Sequence, residues 1–482
     1  MTFTPTTEQS AIVDRVRSTS DSLIISALAG AAKTSTLELI ANAVSTPTLS
    51  LAFNKRIAEE LKKRLPSHVT PMTLNGIGHR VWSAGLASRP KLEAGKMFGL
   101  LSAEVEALPR GAAKEAAYED FSELLRTLRT AKSAGYLPRS LEKRGLIDDD
   151  EFYGGLEYRL EDSSIDLIEA TLTKSIYQAR KGILDFDDQI LMPTLFGGAF
   201  PQFPLVTVDE AQDLSPLNHA MLKKIARKRL IVVGDQNQSI YGFRGAVTSG
   251  MSVLAETFGL AEMTLTTSFR CPRAVVALAR LRAPQMQYPD WAIEGEVTYP
   301  NRWSAAEIPD GAAIICRLNA PLMKCALHLI RLGRGVNLVG SDLGPSLQKA
   351  LDRLGPPTLS REEALTAIDQ WEKDRLRKVR SPGATKDRAE CLRVFVDFGT
   401  TLGGAQAYCR QLFSARGPVL LMSGHKSKGG EWDTVYHLEP SLIPSEYATR
   451  AEALEQEYNL QYVITTRAKK ALHHVTLDSL VA

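Results

Sequence analysis

The chain has 482 residues and a mass of 52.8 kDa, about three times the ~150 residues of a typical domain, so three or four structural units are expected and a single small binding module is excluded. Hydrophobic residues at 44% and charged residues at 23% exclude wholesale disorder. Lys plus Arg number 58 against 55 Asp plus Glu, a formal charge of +3, so any nucleic-acid surface has to be a local groove, and a histone-like binder is excluded.

The first informative segment, DSLIISALAGAAKTSTLELIANAV, reads as a short apolar strand (Leu23 to Ser26), a small-residue loop and a helix from near Lys33. A second strand, TLSLAF (Thr48 to Phe53), follows the Pro47 turn, and NKRIAEELKKRL then has helical spacing with its apolar face at Ile57, Ala58, Leu61 and Leu65. This alternation predicts a parallel sheet with crossover helices. From about Val81 to Arg180 the composition shifts to Ala, Glu, Lys, Arg and Leu, which predicts a helical insertion. PLVTVDEAQDL (Pro204 to Leu214) and RLIVVGDQNQSI (Arg229 to Ile240) each put a buried strand immediately before a polar acidic loop. In an open α/β sheet, ligands sit at such carboxyl ends.

A third α/β stretch is read from MTLTTSFR (Met263 to Arg270) through GAAIICRLNA (Gly311 to Ala320) to VNLVG (Val336 to Gly340). A polar insertion, about Ser341 to Gly417, contains DRLRKVRSPGATKDRAE, which is expected as an exposed loop. PVLLMSGHKSKGGEWDTVYHLEP (Pro418 to Pro440) supplies the last sheet elements, and a helix is expected over EALEQEYNLQYVITTRAKKAL (Glu452 to Leu472). The fold class is therefore α/β, with two parallel-sheet units that each carry a mainly helical insertion. The expected limits are 1–80 with 181–248 around insertion 81–180, then 249–340 with 418–482 around a reduced insertion 341–417.

Five cysteines, Cys271, Cys316, Cys325, Cys391 and Cys409, lie scattered without a CxxC pair and are read as small buried core residues in a reducing compartment, not as a disulfide framework or zinc site. The longest weakly polar run, Leu23 to Ala32, is far short of the ~20 residues that span a bilayer, and MTFTPTTEQS lacks a signal pattern. A soluble, unsecreted protein of the cytoplasm or nucleoid, with no membrane partner, is expected.

A phosphate loop needs small residues so that backbone N–H groups approach the anion, a Lys for the β and γ phosphates, and a hydroxyl for magnesium. ALAGAAKTS offers Ala29, Gly30, Ala31 and Ala32, then Lys33, Thr34 and Ser35. The strict glycine pattern is not met, and alone the segment also fits an ordinary helix start. VTVDEAQD changes this balance, because Asp209 is placed to hold magnesium while Glu210 polarises the attacking water. Two adjacent carboxylates at a strand end are costly unless a cation uses them, although exposed loop acids also occur there. Downstream, VGDQNQSIYGFRGA supplies Asp235, the amide of Gln238, and the pair Phe243 and Arg244. An aromatic beside an Arg suits a single-stranded nucleic-acid track as well as it suits a core residue beside a surface one.

Taken together, TTEQSAIV, AGAAKTS, LAFNKRIAEEL, VDEAQDLSP, GDQNQSIYGFRGA, LTTSFR, MSGHKSKGGEWDTV and YNLQYVITTRAKKAL resemble the ordered motif series of UvrD/Rep-type superfamily 1 DNA helicases. LAFNK, RGAV and LTTSFR look most like the F-box DNA helicase branch and compact phage relatives. The matches run from Gln9 to Leu472 and miss mainly the two insertions. The resemblance implies two RecA-like P-loop motor domains with ATP and Mg2+ in the cleft between them. It further implies that Gln9 reads the adenine edge, that Ala29 to Ala32 with Ser35 surround the phosphates, and that Lys33 and Thr34 bind phosphate and magnesium. Asp209 and Glu210 would act on magnesium and water, and Gln238 would sense the γ-phosphate. Phe269 would stack on the adenine, Glu431 would hold the ribose, and Arg270 and Arg467 would bring cationic charge to the γ-phosphate.

For DNA, the family pattern points to Phe53, Asn54 and Lys55, to Thr73 and Asn75, to Phe243 and Arg244, and to His425 and Lys428. The implied activity is ATP-dependent movement on single-stranded DNA, 3′ to 5′, with strand separation at duplex junctions, in DNA repair or replication. The implied protein is a monomer, RNA ranks behind DNA as its partner, and the ends leave no length for an appended nuclease. Departures from the pattern are Ala31 and Ala32 before Lys33, Asn75 where the family often has His, and Gly430 in place of a common Leu. A Cβ at Ala32 is expected to crowd the backbone path around the phosphates. The rival readings are a nucleotide-gated single-stranded DNA-binding protein that displaces bound proteins without unwinding, and a degenerate ATPase scaffold.

Overall fold

In the computed structural model, which describes residues 4–52, 54–156, 159–240, 250–340, 343–379 and 382–481, the apolar runs form strands because parallel strands covered on both faces need no polar side. The first six are β1 (Leu23–Ala27), β2 (Thr48–Leu51), β3 (Val69–Met72), β4 (Leu205–Val208), β5 (Arg229–Gly234) and β6 (Ala261–Leu265). They pair in parallel in the order β3-β2-β4-β5-β1-β6. The chain leaves β1 for β2, and β4 and β5 later enter the sheet between them. Three loops carrying motif residues thus follow three adjacent strands, β4, β5 and β1, with Val208 level with Val232 and Ser26 level with Gly234.

Helix starts follow local chemistry. Helix α1 (Thr7–Ser18) begins on a reciprocal box between Thr6 and Gln9, and α2 (Lys33–Ala43) begins at Ala32 with no side-chain cap. Helix α3 (Lys55–Arg64) starts on the Asn54 carboxamide and α4 (Leu74–Ala84) on the Thr73 hydroxyl. The expected helical insertion comprises Lys96–Ala107, Ala112–Glu119, Phe121–Ala134, Asp149–Gly155 and Asp162–Arg180. Its core packs Leu101, Leu124, Leu128 and Leu172 with Tyr136, whose ring lies on Phe152 at 4.5 Å. Beside this core, Lys96 and Lys132 close on Asp185 and Asp188 with contacts of 2.6 Å, all four side chains being buried.

By internal contacts the chain divides into a first unit, Met1–Ala27 with Ala32–Leu265, and a second, Leu28–Ala31 with Thr266–Ala482. The second unit has its own parallel sheet of β7 (Glu296–Thr298), β8 (Ala313–Cys316), β9 (Val336–Leu338), β10 (Val419–Ser423), β11 (Trp432–Leu438) and β12 (Ala468–Val475), in the order β9-β10-β8-β11-β12-β7. All five cysteines are buried and free. No helix among the described residues is long and apolar enough to cross a membrane.

Three expectations change. The strand of MTLTTSFR does not open the second unit: β6 pairs with β1 from Leu23↔Ala261 to Ala27↔Leu265, so the first unit reaches Leu265 instead of residue 248. A strand's own pattern does not say which sheet it joins. The charge-rich segment expected as a loop belongs largely to helices Arg361–Leu376 and Gly383–Gly399. Of its charges, Glu390 pairs with Arg393 and Asp387 accepts from Asn319 and the Ala320 backbone N–H, while Ala389 enters the core. The last predicted helix ends at Thr465, and Ala468–Val475 is a strand, because pairing between β11 and β7 overrides the helix propensity of Ala and Lys.

Candidate active site

The loop after β1 turns at Gly30, with φ of 74°. A Cβ there would meet Ser268 Oγ at 2.6 Å and Arg270 Cβ at 2.7 Å, so only glycine fits. Ala32 adopts the left-handed conformation, φ 54° and ψ 43°, as the residue from which α2 departs. Ala32 thus carries a conformational cost of its own. Glu210, φ 53°, is strained in the same way, so two of the four non-glycine residues with positive φ among the described residues lie at this site. The uncapped start of α2 presents backbone N–H groups with a favourable dipole, a ready anion site.

Around it the first-unit side chains interlock. Thr34 Oγ1 donates to Asp209 Oδ2 at 2.9 Å, and Lys33 Nζ lies 3.6 Å from Glu210 Oε1. Gln212 Nε2 donates to Glu210 Oε2 at 2.6 Å, and its Oε1 accepts from the Asp235 backbone N–H at 3.0 Å. Gln238 Nε2 in turn donates to Asp235 Oδ2 at 2.7 Å. Burial, then the neighbouring Glu210 carboxylate, pushes Asp209 up to about 6, and burial also raises Asp235. Among the described residues, the carboxylates of Asp209, Glu210 and Asp235 all lie within the electrostatic reach of Lys33 or of one another. Gln9 is buried: its Oε1 accepts from Thr6 N at 3.0 Å and its Nε2 donates to Thr36 Oγ1 at 3.0 Å.

In the second unit, Arg270 Nε donates to Glu431 Oε2 at 2.5 Å. Arg467 is 1% exposed, with its guanidinium on Val463 O at 2.8 Å, Gly430 O at 3.1 Å and Thr466 Oγ1 at 3.1 Å. The backbone N–H of Phe269 donates to Gly30 O at 3.0 Å, and that of Ala29 donates to the Tyr462 hydroxyl at 3.0 Å. The Phe269 ring lies 6.3 Å from the Trp291 ring, the planes inclined by 27°.

Comparison with known proteins bears on this arrangement directly. A sequence model of the UvrD/REP helicase N-terminal domain matches residues 6–259, just over half of the chain. The chain belongs to the UvrD/Rep helicase family. A model of the UvrD-like helicase C-terminal domain matches residues 404–478. F-box DNA helicase protein 1 of Schizosaccharomyces pombe is 24% identical over 311 residues, 58% of this chain and 34% of that protein. ATP-dependent DNA helicase UvrD2 of Mycobacterium tuberculosis is 27% identical over 399 residues, 68% of this chain and 57% of its own. ATP-dependent DNA helicase Rep of Escherichia coli is 32% identical over 110 residues, 20% and 16% of the two chains. This UvrD/Rep-family chain thus spans about a third to somewhat over half the length of the first two relatives.

Of the residues that the family pattern points to for DNA, Phe53, Phe243 and Arg244 lie outside the described residues. Asn54 and Thr73 serve as helix caps, accepting from Ile57 N at 2.9 Å and Gly76 N at 3.0 Å. Lys55 is 89% exposed, and Asn75 donates to Phe186 O at 2.6 Å and to Gln189 Oε1 at 3.2 Å. His425 lies in the short helix Gly424–Ser427 after β10, and Lys428 directly follows that helix. Sequence reasoning missed Gln212, which joins two motifs, although the residue sits inside VDEAQD. It also missed Tyr462, whose partner is 433 residues away.

Proposed function

We propose that this chain is an ATP-driven DNA motor that moves 3′ to 5′ on single-stranded DNA and separates strands at duplex junctions. The reading is carried by one observation: three adjacent strand ends hold Lys33, Thr34, Asp209 and Glu210 and, through Gln212, Asp235 and Gln238, in one polar network. The residues fit Mg2+: Asp209 and Thr34, joined at 2.9 Å, would hold the ion with substrate oxygens, and the adjacent Glu210 carboxylate favours a cation beside Asp209. Among the described residues no three His, Cys, Asp or Glu are grouped to hold a metal by themselves. Bound with ATP, Mg2+ supplies charge neutralisation on the phosphates.

Lys33 and the N–H groups of α2 bind the β and γ phosphates, and Glu210 polarises the attacking water. Gln238 senses the γ-phosphate, Gln9 and Phe269 hold the adenine, and Glu431 holds the ribose. Arg270 and Arg467 add positive charge as the transition state forms. Arg270 exchanges its bond to Glu431, and Arg467 its bonds to backbone carbonyls, for phosphate oxygens. Phe53, Asn54, Lys55, Thr73, Asn75, Phe243, Arg244, His425 and Lys428 form the DNA track. Phe243 follows Gln238 by only five positions, so a change at the γ-phosphate is passed along a short stretch of chain to the strand.

The test is ATP hydrolysis with and without single-stranded DNA, followed by a labelled forked duplex. DNA-stimulated turnover with strand release is expected, from forks with a 3′ tail in preference to a 5′ tail. Stimulated turnover without release supports a displacing binder, and no nucleotide use under any condition overturns the motor reading. Arg270→Ala and Arg467→Lys are expected to lower kcat by ~10³ with ATP affinity nearly kept, because the charge acts on the transition state. Equal losses in binding and turnover would place both residues in the ground-state pocket.

A further inference from the structure

Trp291 is 69% exposed, an unusual position for the largest apolar side chain. The loop that carries it is nonetheless firmly fastened. Before it, Gln287 N donates to Thr266 O at 2.9 Å, and Gln287 O accepts from Ser268 N at 2.8 Å. After it, Arg273 N donates to Ile293 O at 3.0 Å and Ala274 N to Glu294 O at 2.9 Å. Arg273 also reaches across the loop, its guanidinium donating to Asp290 O at 2.7 Å. A loop pinned at both ends that leaves its indole in solvent is holding that ring for a contact the free chain does not make.

The neighbour of the ring is Phe269, nearly parallel at 27°, with centroids 6.3 Å apart. Phe269 is itself tied by its backbone N–H to Gly30 O, in the loop that leads to Lys33. Two contact layers around a flat heterocycle need roughly 7 Å. An indole as exposed as this one supplies the remaining fraction of an ångström by a small rotation. We infer that Trp291 is a second aromatic of the nucleotide site and that it and Phe269 together grip the purine base of ATP. The inference rests on the proposed ATPase reading and adds to it a determinant of base preference. Stacking on a purine, with its two fused rings, exceeds stacking on a pyrimidine, so the pair favours ATP over UTP by contact area and not by hydrogen bonding.

The test is steady-state hydrolysis by the full chain and its Trp291→Ala and Trp291→Phe variants, with ATP and with UTP. Trp291→Ala is expected to raise KM for ATP about five- to tenfold, with a much smaller change in kcat and a smaller rise for UTP, and Trp291→Phe to recover most of the loss. Binding of a non-hydrolysable ATP analogue is expected to quench tryptophan emission in the wild type, and this quenching is lost in Trp291→Phe. An unchanged KM in Trp291→Ala overturns the inference, as do equal rises for ATP and UTP, which would mark Trp291 as a prop for the fold. A wild-type chain that neither binds nor hydrolyses ATP overturns the ATPase reading as well, whereas normal ATP use with an unaltered variant overturns this inference alone.

Discussion

Two clusters of lysine and carboxylate lie in the first unit, and they are built differently. Around Lys132 and Lys96, the carboxylates of Asp185 and Asp188 close at 2.6 Å, and both backbone N–H groups of the two aspartates are also taken up. Burial opposes the charge on Lys132, yet the two carboxylates win and hold its proton more tightly than usual. Asp185 is held below the ordinary carboxylate range because Lys132 outweighs its burial. Around Lys33 the Glu210 carboxylate stands off at 3.6 Å, and Asp209 is driven up to about 6 by burial and by Glu210. Two ammonium groups closing on two carboxylates at 2.6 Å make a clasp that fixes a loop to the helical insertion, with the Asp187 carboxyl beside it pushed up to about 6 by burial and by Asp185. At Lys33 the pairing is looser, and Thr34, Asp209 and Glu210 gather around the start of α2. The closeness of the ion pairs, more than residue type, separates the two clusters.

The comparison breaks most visibly at the two lysines. Lys33→Ala is expected to cut ATP turnover by ~10³ or more with the fold intact, since backbone N–H groups cannot replace the ammonium. Glu210→Gln is expected to retain ATP and Mg2+ binding while hydrolysis stops. Normal turnover in Lys33→Ala would remove the site from the chemistry. Lys132→Ala is expected to do the opposite, costing about 3–5 kcal/mol in urea unfolding because Asp185 is left buried without its partner and Asp188 keeps only Lys96. A loss under ~1 kcal/mol would mean that the clasp is hydrated and not closed.

A smaller effect sharpens the same contrast through pH. Asp209 is held near 6 in the folded chain against ~3.9 unfolded. The protonated form therefore contributes stability that is full below pH ~4 and is lost as pH rises through 6. Asp209→Asn is expected to raise the stability of the metal-free protein by about 2 kcal/mol at pH 7 to 8, with the difference vanishing towards pH 4, while abolishing turnover. Melting curves across that range check the sign, and a variant less stable than wild type at pH 7 would show that Asp209 is already compensated.

The smallest expected effect is at Ala32, where a left-handed Ala costs ~1–2 kcal/mol and glycine's greater freedom when unfolded returns part of it. Ala32→Gly is expected to stabilise by up to ~1 kcal/mol, read as a rise of a few degrees in Tm. A fall in Tm would indicate that the methyl group packs usefully.

The sequence by itself determined the strands that end in Ala27, Val208 and Gly234, because short apolar runs followed by small or acidic residues are local signals. It also located Lys33, Thr34, Asp209, Glu210 and Gln238, since each lies within a few positions of such a strand end. Tertiary structure alone decided that β6 closes the first sheet, that RAKKAL becomes a strand, and that the charged run after Asp374 is largely helical. It alone tied Gln212 to Asp235, Arg270 to Glu431 and Ala29 to Tyr462, and it set Trp291 against Phe269. The reason is the range of the forces involved. Hydrophobic period and turn chemistry act over a few neighbouring residues, whereas sheet membership, charge balance and ring stacking depend on partners brought together from distant parts of the chain.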